Sequence, residues 1–64
     1  MTLTEFQSRV VEAFGELRGD HLVRSHHLAA CNGRTAHEAI DSGQSVKSVW
    51  LALCDEFEVS EQLR

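Results

Sequence analysis

The apolar residues of this chain recur at steps of three and four, a spacing that predicts α-helices rather than strands. The first such stripe consists of Phe6, Val10, Ala13, Phe14 and Leu17. Thr4 with Gln7 makes a capping box at its start, and Thr2 with Glu5 offers a competing start half a turn earlier. Gly15 follows the stripe and predicts the end of this first helix, because glycine accepts a left-handed C-cap conformation.

A second helix is expected before the Asn32–Gly33 pair, with its inward face formed by His27, Leu28 and Cys31. Gly19 and Asp20 interrupt its beginning, so it starts at Glu16 or, as we expect, is capped afresh by Asp20. The Asn-Gly pair tolerates positive φ and predicts a stop. No alternating strands flank it, so the pair is interpreted as a helix cap and not as a hairpin turn.

Two further helices follow. Thr35 and Glu38 form a capping box that opens a short third helix, which Gly43 closes. Ser45 caps the fourth, whose apolar face carries Val46, Val49, Trp50, Leu53 and Phe57. The residues from Ser60 onward are a polar tail that is expected to fray.

The pattern therefore predicts one all-α domain spanning residues 1–64, a bundle of four short helices whose last two are arranged like a helix-turn-helix. Strands have no obvious place, and the ordered part is expected to run from about residue 4 to residue 59. The predicted core consists of Phe6, Val10, Phe14, Leu28, Cys31, Ile40, Val49, Trp50, Leu53 and Phe57. A chain of 64 residues buries only about 60% of the surface that it exposes when unfolded, so this core is small.

Charge is distributed unevenly along the chain, whose net value is −4. The four arginines before residue 35 are balanced by carboxylates, whereas from Thr35 onward only Lys47 and Arg64 oppose an excess of Asp and Glu. An acidic half repels phosphate and disfavours binding to nucleic acid.

The cysteines and histidines give little indication of a metal site or a catalytic site. Cys31 and Cys54, in a chain without a leader or a long apolar run, are expected to be free thiols in the core of a cytoplasmic protein. His27 and Cys31 lie four residues apart, yet no Cys-x-x-Cys or His-Glu-x-x-His motif completes a metal site. Ser25, His26 and Asp20 have the residue types of a catalytic triad but no signature that unites them. We expect no enzyme activity, no metal, no cofactor and no membrane contact.

The helix-turn-helix comparison is partial. A small residue, a turn glycine and buried aliphatics stand where that motif has them, namely at Ala39, Gly43, Val49 and Ala52. Glu38, Ser42 and Gln44 occupy positions that are usually apolar. The outer face of the fourth helix offers a single cation, Lys47, whereas phosphate contacts usually recruit several.

Scattered identities along nearly the whole chain resemble a known family. They are Leu3 to Phe6, Phe14 with Gly15, His26 with Leu28, Asn32 to Thr35, Glu38 with Ala39, Gly43, Val49 with Trp50, and Cys54. They are similar to a family of short actinobacterial proteins classed only as a domain of unknown function and often encoded beside the recombinase RecA and its regulator RecX. The resemblance implies a compact helical protein and assigns no activity, cofactor or catalytic residue.

Four residues are candidate partner contacts. His26 and Arg34 have no obvious folding role, so each either makes a hydrogen bond that fixes the turn or meets a partner. Lys47 and Leu51 lie on the predicted outer face of the fourth helix. We expect a cytoplasmic, non-catalytic interaction module that binds a protein partner or itself. The alternative is a nucleic-acid-binding helix-turn-helix protein linked to recombination or repair.

Overall fold

The computed structural model describes residues 1–64. It contains four α-helices: α1 (Leu3–Phe14), α2 (Glu16–Ser25), α3 (Ala36–Asp41) and α4 (Val46–Glu56). Between α2 and α3 lie two short strands, β1 (His27–Leu28) and β2 (Arg34–Thr35). Single turns of 3-10 helix cover Ala29–Cys31 and Glu61–Leu63. The prediction of four helices is confirmed, whereas the expectation that the chain has no strands is wrong.

Helix α1 begins one half-turn earlier than the Thr4 capping box would place it. The Thr2 hydroxyl accepts a hydrogen bond from the Glu5 N–H at 3.1 Å, so Thr2 is the N-cap. Gly15 ends the helix as predicted, with φ of 87° and its N–H bonded to the Val11 carbonyl at 2.8 Å. It is also the only residue between α1 and α2, which makes the connection between the two helices very short.

Helix α2 begins at Glu16 and not at Asp20, because Gly19 does not interrupt it. Gly19 is buried against Val10, and a Cβ placed there would lie 2.7 Å from the Val10 Cγ1 atom. The glycine therefore allows close packing of the two helices. The early start moves Leu17 out of the predicted apolar stripe and into α2, where it is 88% exposed.

The two strands form an antiparallel hairpin in which His27 pairs with Thr35 and Leu28 with Arg34. The Asn32–Gly33 pair lies in its connection, and both residues have positive φ, 58° and 78°. The Gly33 N–H donates to the Leu28 carbonyl at 3.0 Å and helps to close the turn. The pair thus lies in a hairpin connection, which is the interpretation that the sequence pattern disfavoured.

The predicted helical face of His27, Leu28 and Cys31 is consequently wrong. His27 is exposed on β1, while Leu28 and Cys31 still reach the core from the strand and from the 3-10 turn. Strands of two residues are too short to produce an alternating pattern, so periodicity could not reveal them.

The predicted caps of α3 and α4 are confirmed. The Thr35 hydroxyl accepts from the Glu38 N–H at 3.1 Å, and the Glu38 carboxylate accepts from the Thr35 N–H at 3.0 Å, which completes the capping box. The Ser45 hydroxyl accepts from the Ser48 N–H at 3.3 Å. These caps fix where both short helices begin.

The core is centred on Trp50, whose ring meets that of Phe6 edge to face with centroids 6.2 Å apart. Seven of the ten predicted core residues are buried, and Phe14, Ile40 and Phe57 pack half-buried at its edge. The sequence pattern missed a set of mostly small buried residues: Leu22, Ala36, Ala39, Ala52, Cys54 and Val59.

The C-terminal residues, for which a polar tail from Ser60 onward was predicted, make several contacts with the rest of the domain. Val59 is buried, and Leu63 packs against the core. Arg64 donates to the Asp55 carboxylate at 2.8 Å and to the Val59 carbonyl at 2.9 Å. Arg9 on α1 donates to the Arg64 carbonyl at 3.0 Å, so the segment is connected to the first helix as well.

Candidate functional site

A concave groove of about 320 Å³ lies between α1, α2 and α3. Its volume is at the lower end of the range for ligand pockets. Apolar residues form much of its surface and polar residues the rest: Leu3, Phe6, Gln7, Val10, Val11, Glu16, Gly19, Asp20, Val23, Arg24, His37, Ile40 and Asp41. We refer to it as the α1–α3 groove.

The apolar part of the α1–α3 groove combines core and surface side chains. Phe6 and Val10 belong to the core and still contribute to the groove lining. Leu3 and Val11 line it from α1 and keep 49% and 46% of their surface exposed. A shallower depression lined by Thr4, Gln7, Ser8 and Val11 continues this side of α1. The groove therefore joins an exposed apolar strip of α1 to the edge of the core.

Gly19 helps to shape the groove because it contributes no side chain at the point where α2 meets α1. Val23 lies one helical turn further along α2 and is half-buried. Ile40 enters from α3, whose other apolar residues, Ala36 and Ala39, are fully buried. Ile40 is consequently the one large apolar side chain that α3 supplies to the groove.

Charged residues in the groove are predominantly acidic. Arg24 Nε lies 3.0 Å from Asp20 Oδ1, and His37 Nε2 lies 3.4 Å from Asp41 Oδ2. Each pair is within one helix at a spacing of four residues. Glu16, the third carboxylate, forms no ion pair. The lining therefore carries three carboxylates, one guanidinium and one imidazole.

His26 and Arg34 both make internal hydrogen bonds, which is one of the two roles predicted for them. His26 Nε2 lies 3.2 Å from Glu56 Oε2, and its ring is centred 4.7 Å from that of Phe57. Arg34 donates to the Ser42 hydroxyl at 3.1 Å. These contacts connect the hairpin region to the end of α4 and to the turn after α3.

Lys47 and Leu51 lie one turn apart on the exposed side of α4, where Leu51 keeps 40% of its surface accessible. None of the four predicted contact residues lines the α1–α3 groove. The groove residues Leu3, Val11 and Val23 were not predicted as contacts. The Val10–Val11 pair was the available signal, since Val10 lies on the apolar stripe of the helix and Val11, its neighbour, points to a different side.

Two ionisable groups have altered pKa values. The hydrogen bond from the Thr35 backbone N–H lowers the pKa of Glu38, and the Thr35 hydroxyl, His27 and Arg34 lower it further. Burial raises the pKa of the Cys54 thiol, and Cys31 is likewise a buried free thiol. Both effects belong to the folded framework and not to the α1–α3 groove.

His, Cys, Asp and Glu side chains nowhere gather in a group of three or more that could hold a metal ion. None of the helices combines the length and the apolar character needed to cross a membrane.

The model of a family described as a protein of unknown function (DUF3046) matches residues 1–62. Among curated proteins and solved structures, none matches the chain.

Proposed function

We propose that this chain, which belongs to the DUF3046 family of proteins of unknown function, is a non-catalytic, cytoplasmic module that binds another protein through its α1–α3 groove. One observation carries the proposal: Leu3 and Val11 remain about half exposed on α1 where they line a concave surface whose lining includes core residues. Concave apolar surface of this kind is where proteins commonly bind partners.

Because the chain is small, the exposure of Leu3 and Val11 is stronger support for a binding surface. A domain of 64 residues has few large apolar side chains with which to stabilise its fold. Leu3 and Val11 would each contribute on the order of 1 kcal/mol or more if they were covered, since full burial of such a side chain contributes about 1.5–3 kcal/mol. A partner segment in the groove would cover both of them at once.

The surface of α4 supports a protein partner better than it supports nucleic acid. Lys47 is the only cation of α4, and Asp55 and Glu56 lie on the same helix. A surface that binds the phosphate backbone would need several cations. The arrangement of α3, a turn and α4 remains the basis of the nucleic-acid alternative. Fluorescence anisotropy with duplex and single-stranded DNA at low salt, where attraction to phosphate is strongest, tests that alternative directly.

Lys47 and Leu51 remain predicted partner contacts under this proposal. They lie outside the groove, so they would form a separate and smaller contact area. His26 and Arg34 already have internal partners, and substituting either is expected to affect the fold as well as any contact.

Site-directed photocrosslinking tests the proposed function. A photoreactive phenylalanine analogue is placed at Val11, inside the groove, and in a control at Leu17, which is 88% exposed and outside it. The protein is then irradiated in the cells that produce it. We expect a discrete adduct with one protein from position 11 and none from position 17. Identical adducts from both positions, or none from position 11, would contradict the proposal.

A further inference from the structure

We propose that the segment bound in the α1–α3 groove is an amphipathic helix of a different protein, with apolar side chains on one face and Lys or Arg beside them. This inference rests on the proposed function and specifies the chemistry of the partner at the same groove. It follows from the secondary structure of the groove walls and from their charge.

The walls favour a helix over an extended strand. Every residue that lines the groove lies in α1, α2 or α3, where the backbone hydrogen-bonding groups outside the terminal turns are used within the helices. A strand that binds by main-chain hydrogen bonds needs a free sheet edge, and neither β1 nor β2 borders the groove. Recognition must therefore use side chains, as when a helix places its apolar face in a groove between other helices.

The groove charge favours a basic partner. Glu16 has no intramolecular counter-ion. The two basic residues of the lining are already paired, Arg24 with Asp20 and His37 with Asp41. The groove thus keeps a net negative charge around an apolar centre. Lysines or arginines beside the apolar residues of a bound helix would complement it.

The same charge disfavours a second copy of this chain as the occupant. The chain has a net charge of −4, so two copies repel each other. Its helices with exposed large apolar side chains also carry carboxylates, among them Glu12 on α1 and Asp55 on α4. A second copy would therefore bring negative charge toward an already negative groove.

Two synthetic peptides test the inference. Both have leucines at positions i, i+3, i+4 and i+7 of a helix, and they differ only in whether lysines or glutamates flank these leucines. Binding is followed by two-dimensional ¹H–¹⁵N NMR of the labelled full chain. We expect the lysine peptide to shift the amide signals of Val11, Val23 and Ile40, and the glutamate peptide to bind at least tenfold more weakly.

Charge reversal in the protein provides the matched control. The Glu16→Lys/Asp41→Lys protein changes two groove carboxylates, and the Glu12→Lys/Glu61→Lys protein makes the same change of net charge outside the groove. We expect the first to bind the lysine peptide about tenfold more weakly, because two attractive charges become repulsive. The second should retain most of the affinity, and circular dichroism checks that both proteins fold.

The outcomes separate this inference from the proposed function. Equal binding of the two peptides in the groove would overturn the inference that the partner is basic. The proposal that the groove is a docking site would stand. Groove signals that shift on dilution of the protein alone would overturn it in favour of self-association. If neither peptide binds, the inference is overturned, and the crosslinking result alone decides the proposed function.

Discussion

Gly19 lies so close to Val10 that a Cβ atom on the glycine would be 2.7 Å from Val10 Cγ1 and 3.3 Å from the Val10 carbonyl oxygen. This contact brings α2 against α1 along one side of the α1–α3 groove. Gly15, the one-residue connection, allows the chain to turn between the two helices.

Substitution Gly19→Ala tests the contact between the helices. A methyl group at this position must displace Val10, whose β-branched side chain has little rotational freedom. Overpacking of this kind costs about 1–3 kcal/mol and exceeds the roughly 0.5–1 kcal/mol that alanine contributes over glycine within a helix. We expect a net loss of about 1 kcal/mol in the free energy of unfolding, measured by urea denaturation with Trp50 fluorescence.

The Val10→Ala background provides the control for that experiment. With the Val10 side chain shortened, the 2.7 Å contact is removed and the 3.3 Å contact with the Val10 carbonyl oxygen remains, so Gly19→Ala should cost clearly less there. A destabilisation of equal size in both backgrounds would show that the contact with the Val10 side chain is not the cause.

The capping box at the start of α3 should make stability depend on pH. The pKa of Glu38 is lowered in the folded protein, chiefly by the hydrogen bond from the Thr35 N–H. Its stabilising contribution is therefore fully present above the pKa of the unfolded chain and is lost as the pH falls through the lower folded value. In Glu38→Gln the amide oxygen can still accept the hydrogen bond, but it carries no charge.

The measurement compares urea denaturation of the wild-type and Glu38→Gln proteins from pH 7 into the acid range. We expect the wild type to be the more stable at neutral pH and the difference to shrink as the pH falls below the usual range of a glutamate. A difference that stays constant over this range would contradict the role assigned to the charge of Glu38.

Arg64 should stabilise the end of the chain. Its side chain donates to the Asp55 carboxylate and to the Val59 carbonyl, and it is only 30% exposed. We expect Arg64→Ala to lower the free energy of unfolding by about 1 kcal/mol, the usual net contribution of such hydrogen bonds. Arg18→Ala, at an exposed site without an ion pair, should change it by less than about 0.5 kcal/mol. Equal effects would argue that the side-chain contacts of Arg64 contribute nothing to stability.

The two cysteines should report global unfolding. Cys31 and Cys54 are both buried, and burial raises the pKa of the Cys54 thiol, which leaves little of the reactive thiolate at neutral pH. We expect Ellman's reagent to label the native protein slowly, at a rate that rises with urea in proportion to the unfolded fraction. Rapid labelling of either thiol without urea would show a local opening that this fold does not predict.

Local signals in the sequence predicted much of the fold. The Thr35 and Ser45 caps and the Gly15 stop each depend on residues within four positions, and the structure has all three. The larger core residues also followed from helical periodicity, because Trp50 and Leu53 recur at the spacing of one helix face.

Features that depend on distant contacts could not be predicted in this way. The sequence pattern suggests Gly19 as a helix breaker, and only its contact with Val10 shows why the helix has a glycine at this position. The hairpin requires Leu28 and Arg34 to pair across a turn, and two-residue strands leave no pattern of alternation. The groove itself arises from the packing of α1, α2 and α3, so Val11 was identified as part of a surface only in three dimensions.

The most direct test of the α1–α3 groove as the contact surface is the affinity of the lysine peptide for two surface variants. Val11→Ser removes an apolar side chain from the groove, and Leu17→Ser removes a more exposed one outside it. Fluorescence anisotropy with a labelled peptide gives both dissociation constants beside that of the wild type. We predict roughly tenfold weaker binding to Val11→Ser, in line with the burial of one aliphatic side chain, and unchanged binding to Leu17→Ser. Equal affinities for all three proteins, or a larger loss in Leu17→Ser, would contradict the account.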